Sequence, residues 1–258
     1  MFPELLRIGP ITVKTYGAFV AAGFIFALIY LLKRSGREGF SRGLVSDLSL
    51  YLLVSGIAGA RALYVLLNWE FYSRNPAETF YVWSGGLVFY GGLIVAAATG
   101  IAYLTVKKLD VWRFADFVTP AVFLGMFFGR LGCFFAGCCY GKPCNFPWAV
   151  TFNSPISLAP QGIPLHPTQI YEALFCGAVF GVSHFLNGGR PFSKNFNGEV
   201  FFVSLIVYGL WRFLIEFVRG DDRGAMILGM YPSQFLSIFA IIVSVAAMIY
   251  LWQKKSGK

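Results

Sequence analysis

The sequence predicts an all-α polytopic membrane protein, a bundle of about seven transmembrane helices, and three observations carry that prediction. Only 13% of the 258 residues are charged, against 57% hydrophobic, where soluble domains average about 25% charged. The apolar residues fall into seven runs, each able to cross roughly 30 Å of hydrocarbon, which takes about 20 helical residues. The basic residues lie in short stretches beside those runs rather than on one soluble face. The net charge of +9 therefore reads as membrane topology and not as a nucleic-acid surface. Residues 1–10 lack the basic start, apolar run and small-residue cleavage site of a removable leader, so the first span is expected to be its own insertion signal.

The spans are expected at Val13 to Leu32, Val45 to Leu67, Gly86 to Val106, Phe114 to Phe135, Gln169 to Leu186, Glu199 to Phe217 and Ser233 to Trp252, with a break possible in the second and fourth. On alternate sides of these runs, one side carries Lys33, Arg34, Arg37, Arg42, Lys107, Lys108, Arg113, Arg190, Lys194, Lys254, Lys255 and Lys258. The other carries Arg7, Lys14, Arg74, Lys142, Arg219 and Arg223. Twelve against six places the N-terminus outside and the C-terminus in the cytoplasm. Trp69 to Trp83, aromatic and weakly charged, is expected to lie in the outer interface. Residues 142–168 carry six of the twelve prolines and read as a small extracytoplasmic cap within one transmembrane domain, 1–258.

Given these directions, polar residues converge. Arg130 falls near the outer end of span four, Arg212 and Glu216 in the outer half of span six with Arg219 at its mouth, and Arg61 past the middle of span two. Tyr16, Tyr90 and Glu172 lie near the outer starts of spans one, three and five. Arg212, Glu216 and Arg219 are spaced i, i+4, i+7 and share one helix face. Four arginines against Glu172 and Glu216 leave an excess of positive charge, and in an outer leaflet the available anion is a phospholipid head group. The structural alternative is that the arginines pair with the two carboxylates and helix-end carbonyls and fix helix packing; Arg61, on the small-residue stretch Ser55 to Ala60, is the arginine best suited to that role. Ser84-Gly85-Gly86 and Gly91-Gly92 fit either a ligand cavity or close helix packing. His166 fits a ligand or catalytic role as well as a loop hydrogen bond, and Thr168 is expected to cap span five. His184 is expected to be a plain interfacial residue.

These residues resemble the phosphatidylglycerol:prolipoprotein diacylglyceryl transferases along nearly the whole chain. The resemblance rests on Ile8-Gly9-Pro10 with Tyr16-Gly17, Gly59-Ala60-Arg61 with Tyr64, Tyr81 to Ile94, Gly129-Arg130-Leu131-Gly132, His166 to Glu172, and Arg212-Phe213 with Glu216-Phe217-Val218-Arg219. It implies a multi-pass enzyme of the bacterial inner membrane, with its site toward the outer leaflet. Such an enzyme moves diacylglyceryl from phosphatidylglycerol to the lipobox cysteine of a preprolipoprotein, forming a thioether and releasing glycerol phosphate. By the same resemblance Arg130 and Arg212 would hold the lipid phosphate, Glu216 and Arg219 would orient that pair, and Tyr16 would line the site. The remaining candidates for the substrate site are Arg61, Gly91, Gly92, Cys133, His166 and Glu172. No cofactor and no metal are expected.

The chain departs from the family pattern where chemistry should occur. Tyr90 stands where the family has His, and Cys133, Ala136 and Cys138 stand where its signature has two Asn and a Glu. Tyr90, Cys138 and Cys139 thus join Arg130 and Arg212 as catalytic candidates. Cys133, Cys138, Cys139 and Cys144 allow several readings: disulfides holding the cap, a nucleophilic or redox thiol, or inert apolar cysteines. A zinc site with His166 is disfavoured because paired C-x-x-C knuckles are missing. An alternative function accordingly remains, a divergent member using Cys138 and Cys139 as a thiol-disulfide oxidoreductase or in lipid transfer to another acceptor.

Overall fold

The computed structural model describes residues 3–8, 11–81, 85–188, 195–222, 226 and 229–256. Gly9, Pro10, Trp83, Ser84, Arg190, Lys194, Arg223 and Lys258, which entered the reading above, lie outside the described residues. The elements in chain order are β1 (Glu4–Ile8), β2 (Ile11–Lys14), α1 (Thr15–Ser35), α2 (Arg42–Leu67), α3 (Trp69–Arg74), a 3-10 turn (Pro76–Phe80), α4 (Phe89–Val106), α5 (Val111–Ala136), β3 (Val150–Thr151), β4 (Pro164–Leu165), α6 (Thr168–Asn187), α7 (Glu199–Ile215) and α8 (Pro232–Ser256). Six of these helices, α1, α2, α4, α5, α6 and α8, are long and apolar enough to cross a membrane. The seventh expected span is α7, whose 17 residues measure about 26 Å, followed by a turn at Glu216 to Val218. Neither α2 nor α5 is broken, although α5 carries Pro120. The helices leave side chains such as Leu174, Leu214, Phe239 and Ile242 exposed, a surface that suits lipid and not water. The fold is that of an all-α polytopic membrane protein.

The chain forms two compact units. The first comprises Met1–Tyr30 and Ala115–Lys258. In it β1 pairs antiparallel with β2, and the chain turns directly into α1. Small residues let α1 approach α5: a Cβ placed on Gly23 would lie 2.9 Å from the Phe128 Cβ, and one on Gly132 would lie 3.0 Å from the Phe19 Cβ. Stacked rings, Phe19 on Phe135 and Phe26 on Phe128, fill the rest of that seam. On its other side α5 meets α6 and α7 through Phe123, Cys176, Val179 and Tyr208. The start of α7 is capped from a distance: the fully buried Asp116 of α5 accepts from the backbone N–H groups of Gly198 and Phe201, both at 2.9 Å. A carboxylate there satisfies orphan donors and complements the helix dipole. Gly209 then lets α8 lie against α7, within 2.8 Å of where its Cβ would be.

The second unit, Leu31–Phe114, is organised by α2 and α4. Ser41 caps α2 by accepting from the Leu44 N–H at 3.1 Å. Farther along, a Cβ on Gly59 would lie 2.6 Å from both the Gly91 carbonyl and the Val95 Cβ, and one on Gly92 would lie 2.8 Å from the Gly56 carbonyl. Gly91 is itself buried against Gly59. The glycines therefore act in close backbone packing of the small-residue kind. Arg61 lies buried beside this seam, donating to the carbonyls of Glu78 (2.5 Å), Gly85 (2.8 Å), Thr79 (2.9 Å) and Gly86 (3.2 Å). Its guanidinium also sits 5.3 Å from the Tyr72 ring centroid. Gly85 and Gly86 present those carbonyls from the left-handed backbone region, at φ 92° and 71°.

Substituting the seam glycine tests this packing. Gly59→Val is expected to overpack α2 against α4 and cost about 1–3 kcal/mol, read as a lower Tm in detergent. Gly43→Ala, on the same helix with open space around it, should leave Tm unchanged or slightly higher.

Candidate active site

The candidate site of the first unit is assembled around one carboxylate. Glu172, in the first turns of α6 and 1% exposed, places Oε2 at 2.9 Å from Nη1 of Arg130 on α5 and 3.2 Å from Nη1 of Arg219, which follows α7. Arg219 is buried as well, and its other edge makes a two-pronged contact with Asp221, Nε to Oδ1 at 2.9 Å and Nη2 to Oδ2 at 2.8 Å. Arg212 lies 2.7 Å from Oε2 of the buried Glu216, one helical turn on. The i, i+4 spacing read from the sequence thus becomes an ion pair, but the expected shared helix face does not extend to Arg219, because α7 ends at Ile215 and the following turn carries Arg219 to Glu172 and Asp221 instead.

This arrangement changes the charge count. Asp221 is a third carboxylate, and Arg61 has its donors occupied by carbonyls of the second unit, so Arg130, Arg212 and Arg219 face Glu172, Glu216 and Asp221. Among the described residues three arginines thus meet three carboxylates, and the excess of positive charge expected from the sequence is not seen. What distinguishes the arginines is coordination. Arg219 is enclosed and held on both edges, whereas the side chains of Arg130 and Arg212 remain 19% and 13% exposed, each held by one carboxylate. A guanidinium has five donors, so both keep N–H groups for a ligand.

The cysteine loop is fastened to the same elements. After α5, Gly137 (φ 77°) and Cys139 (φ 61°) turn the chain. Thr168, expected as a helix cap, instead donates its hydroxyl to the Cys139 carbonyl at 2.6 Å, Pro167 taking the cap position. Gln169 donates to the Cys138 carbonyl at 2.8 Å. Residues 140–142 are then sandwiched by backbone bonds: Gly141 N–H to the His166 carbonyl and His166 N–H to the Lys142 carbonyl on one side, Lys142 N–H to the Val218 carbonyl and Gly220 N–H to the Tyr140 carbonyl on the other. Only glycine fits at position 141, where a Cβ would lie 2.7 Å from the His166 carbonyl.

The thiols of Cys133, Cys138 and Cys139 lie within 4.8 Å of one another, and none is in a disulfide. Hydrogen bonds from Cys133 and Cys138 hold the Cys139 thiol well below its ordinary range, with help from Arg219 and Arg130 and against burial. Cys138 is pulled down by Cys133, but its bond to Cys139 and burial outweigh that and push it up to about 11. Cys144 is half-buried, and Cys176 belongs to the apolar core.

Tyr16, at the start of α1, is within electrostatic range of Cys133, Cys138, Cys139 and Arg130. His166 is engaged with an aromatic group, its Nδ1 at 3.3 Å from the Tyr171 hydroxyl, which also accepts from Trp148 at 2.7 Å. His184 meets the Tyr30 hydroxyl at 2.9 Å. Arg61, Tyr90, Gly91 and Gly92 belong to the second unit, where Tyr90 stands half-exposed in the first turn of α4. Two residues of the site were missed from the sequence. Asp221 was passed over although an acidic pair directly follows Arg219-Gly220, and Tyr208, one turn before Arg212, is within electrostatic range of Arg130, Glu172 and Arg212.

Residues 3–250 match the family model for prolipoprotein diacylglyceryl transferase. The chain is 38% identical to the phosphatidylglycerol--prolipoprotein diacylglyceryl transferase of Clostridium tetani, over 95% of this chain and 96% of that protein. It is 34% identical to the Clostridium perfringens protein named phosphatidylglycerol--prolipoprotein diacylglyceryl transferase 2, over 95% and 93%, and 31% identical to the transferase of Trichormus variabilis, over 98% and 90%. A match along essentially the full length of both partners has one reading: the chain belongs to the prolipoprotein diacylglyceryl transferase family.

Proposed function

We propose that this protein transfers diacylglyceryl from phosphatidylglycerol to the lipobox cysteine of preprolipoproteins, forming a thioether and releasing glycerol phosphate, within the bacterial inner membrane and with its site toward the outer leaflet. The observation that supports this most directly is that Arg130 and Arg212, in a chain of this family, are each anchored by one buried carboxylate while part of each guanidinium stays open.

Two anchored guanidiniums suit a phosphodiester because each can donate two parallel N–H bonds to phosphate oxygens. The bond to be broken joins the glyceryl carbon to a phosphate oxygen, so negative charge builds on that phosphate as it departs. Arginines preset on Glu172 and Glu216 need little reorganisation to meet it. Glu172 and Arg219 act through Arg130, and Asp221 through Arg219; they are positioning residues. Tyr16 lines the acceptor side, near the cysteine loop. Residues 142–168 form an extracytoplasmic cap within a single transmembrane domain. The match to named transferases supports this reading, and no observation favours the oxidoreductase alternative.

Three measurements test it. Purified protein incubated with phosphatidylglycerol and a lipobox peptide should add a diacylglyceryl mass to the peptide cysteine with matching release of glycerol phosphate. No mass increment from folded protein, where the Clostridium tetani relative works under the same conditions, sinks the proposal. Arg130→Lys keeps the charge but loses the forked donors, and kcat/KM is expected to fall by on the order of a hundredfold. Asp221→Asn should loosen Arg219, lowering kcat/KM by about tenfold and also lowering Tm because the buried Arg219 loses one of its two carboxylates; unchanged kinetics would refute this.

A further inference from the structure

The mechanism above leaves one thing unassigned: what presents the acceptor thiol as a thiolate. It also leaves one cluster unused. Cys133 sits buried in the last turn of α5, and the reversal through Gly137 and Cys139 brings Cys138 and Cys139 back beside it. All three sulfurs lie within 4.8 Å of one another, and all are free thiols. Cys139 adopts a left-handed conformation that costs a non-glycine residue about 1–2 kcal/mol. Gly137, two residues earlier, takes the same left-handed region with a glycine, where a Cβ would also collide with Ser157, whereas position 139 carries a side chain. The turn is locked by the bonds from Thr168 and Gln169 to the Cys139 and Cys138 carbonyls. Such strain is retained where surrounding structure over-determines it and a side chain is needed in place.

We propose that Cys133, Cys138 and Cys139 bind one zinc ion through three thiolates, with the fourth position left for the thiol of the acceptor cysteine, so that the metal delivers the nucleophile. The inference rests on the transferase reading. Zinc–sulfur bonds of about 2.3 Å place three sulfurs about 3.8–4.0 Å apart, a contraction of under about 1 Å from the bound set by this cluster. An all-sulfur set selects zinc or Cu(I) over hard cations. Three protein ligands with an open position are the form of catalytic zinc sites, and Cys138 and Cys139 are half-buried, leaving an approach from solvent. The spacing that argued against zinc lacked paired knuckles; here the reversed turn, and not a C-x-x-C loop, brings the thiols together. Zinc with four thiolates carries two negative charges, and Arg130 and Arg219 act electrostatically on Cys139 from beside the cluster.

The step balances without redox change. The acceptor thiol loses its proton to water on coordination, because metal-bound thiols are deprotonated. Its sulfur lone pair forms the S–C bond to the glyceryl carbon, and the C–O bond to phosphate breaks. That electron pair stays on the oxygen of glycerol phosphate, held by Arg130 and Arg212. The neutral thioether is a poor zinc ligand and leaves.

The test uses the full chain in detergent, purified under reducing conditions without chelator. Elemental analysis should find about one zinc per chain, lost in Cys133→Ser, Cys138→Ser and Cys139→Ser and kept in Cys144→Ser. Because misfolding would also abolish metal binding in these variants, the decisive arm uses unmutated protein reconstituted with Co(II), whose thiolate charge-transfer absorption should appear. The cobalt d–d bands should shift when a lipobox peptide is added and not when its cysteine is serine. Metal-stripped protein should transfer on the order of a hundredfold more slowly and recover with zinc. Folded protein that takes up neither zinc nor cobalt, that binds only copper, that carries a disulfide within the cluster, or that transfers at full rate without metal overturns the inference while leaving the transferase in place. A thiol-dependent cobalt shift in a preparation with no transfer to any lipobox peptide overturns the transferase reading, and with it this one.

Discussion

The site depends on a single buried carboxylate oxygen shared by two arginines. Glu172 stands in α6, Arg130 in α5 and Arg219 beyond α7, so three elements distant in sequence meet at one charge. A buried carboxylate without a partner costs several kcal/mol, as does a buried guanidinium. Each of these groups is therefore tolerable only with the others in place, and the three elements are locked to one arrangement. Asp221 completes it by taking the edge of Arg219 that Glu172 cannot reach. Among the described residues the result is a cluster of matched charges in which Arg130 and Arg212 keep unused donors.

The same elements hold the thiol loop. Residues 140–142 bond through backbone groups to the chain before α6 on one side and to the chain around Arg219 on the other. Movement of the arginine support and movement of the cysteine loop are thus mechanically linked. Gly141 and Gly220 make the strip possible, since a Cβ at either would press on a carbonyl 2.7 Å away. This coupling places the arginine cluster and the thiols on one frame, which is what the proposed displacement needs if nucleophile and leaving group are to be held in line.

The second unit shows the other use of the same residue types. Its glycines permit backbone contact between α2 and α4, and Arg61 binds together the connection between them through four carbonyls. An intramembrane arginine there organises chain, whereas Arg130 and Arg212 leave donors open. Composition cannot separate these roles, because all three are arginines in apolar helices; the acceptors around each decide.

Much was legible beforehand. Long apolar runs impose helices because lipid offers backbone groups no partner, so helix positions were readable to within a few residues, and the i, i+4 pair of Arg212 with Glu216 followed from helical periodicity alone. What the sequence could not disclose depends on long-range contact. Asp221 neutralises the cluster through a turn with no periodic signal, Thr168 leaves its capping role for a carbonyl in a loop 29 residues back, and three cysteines without a metal-binding spacing converge through a left-handed turn. The sequence by itself determined which segments are helices and which polar groups must find partners; the tertiary structure decided which partners they find, because pairing depends on distances that only the packed chain sets.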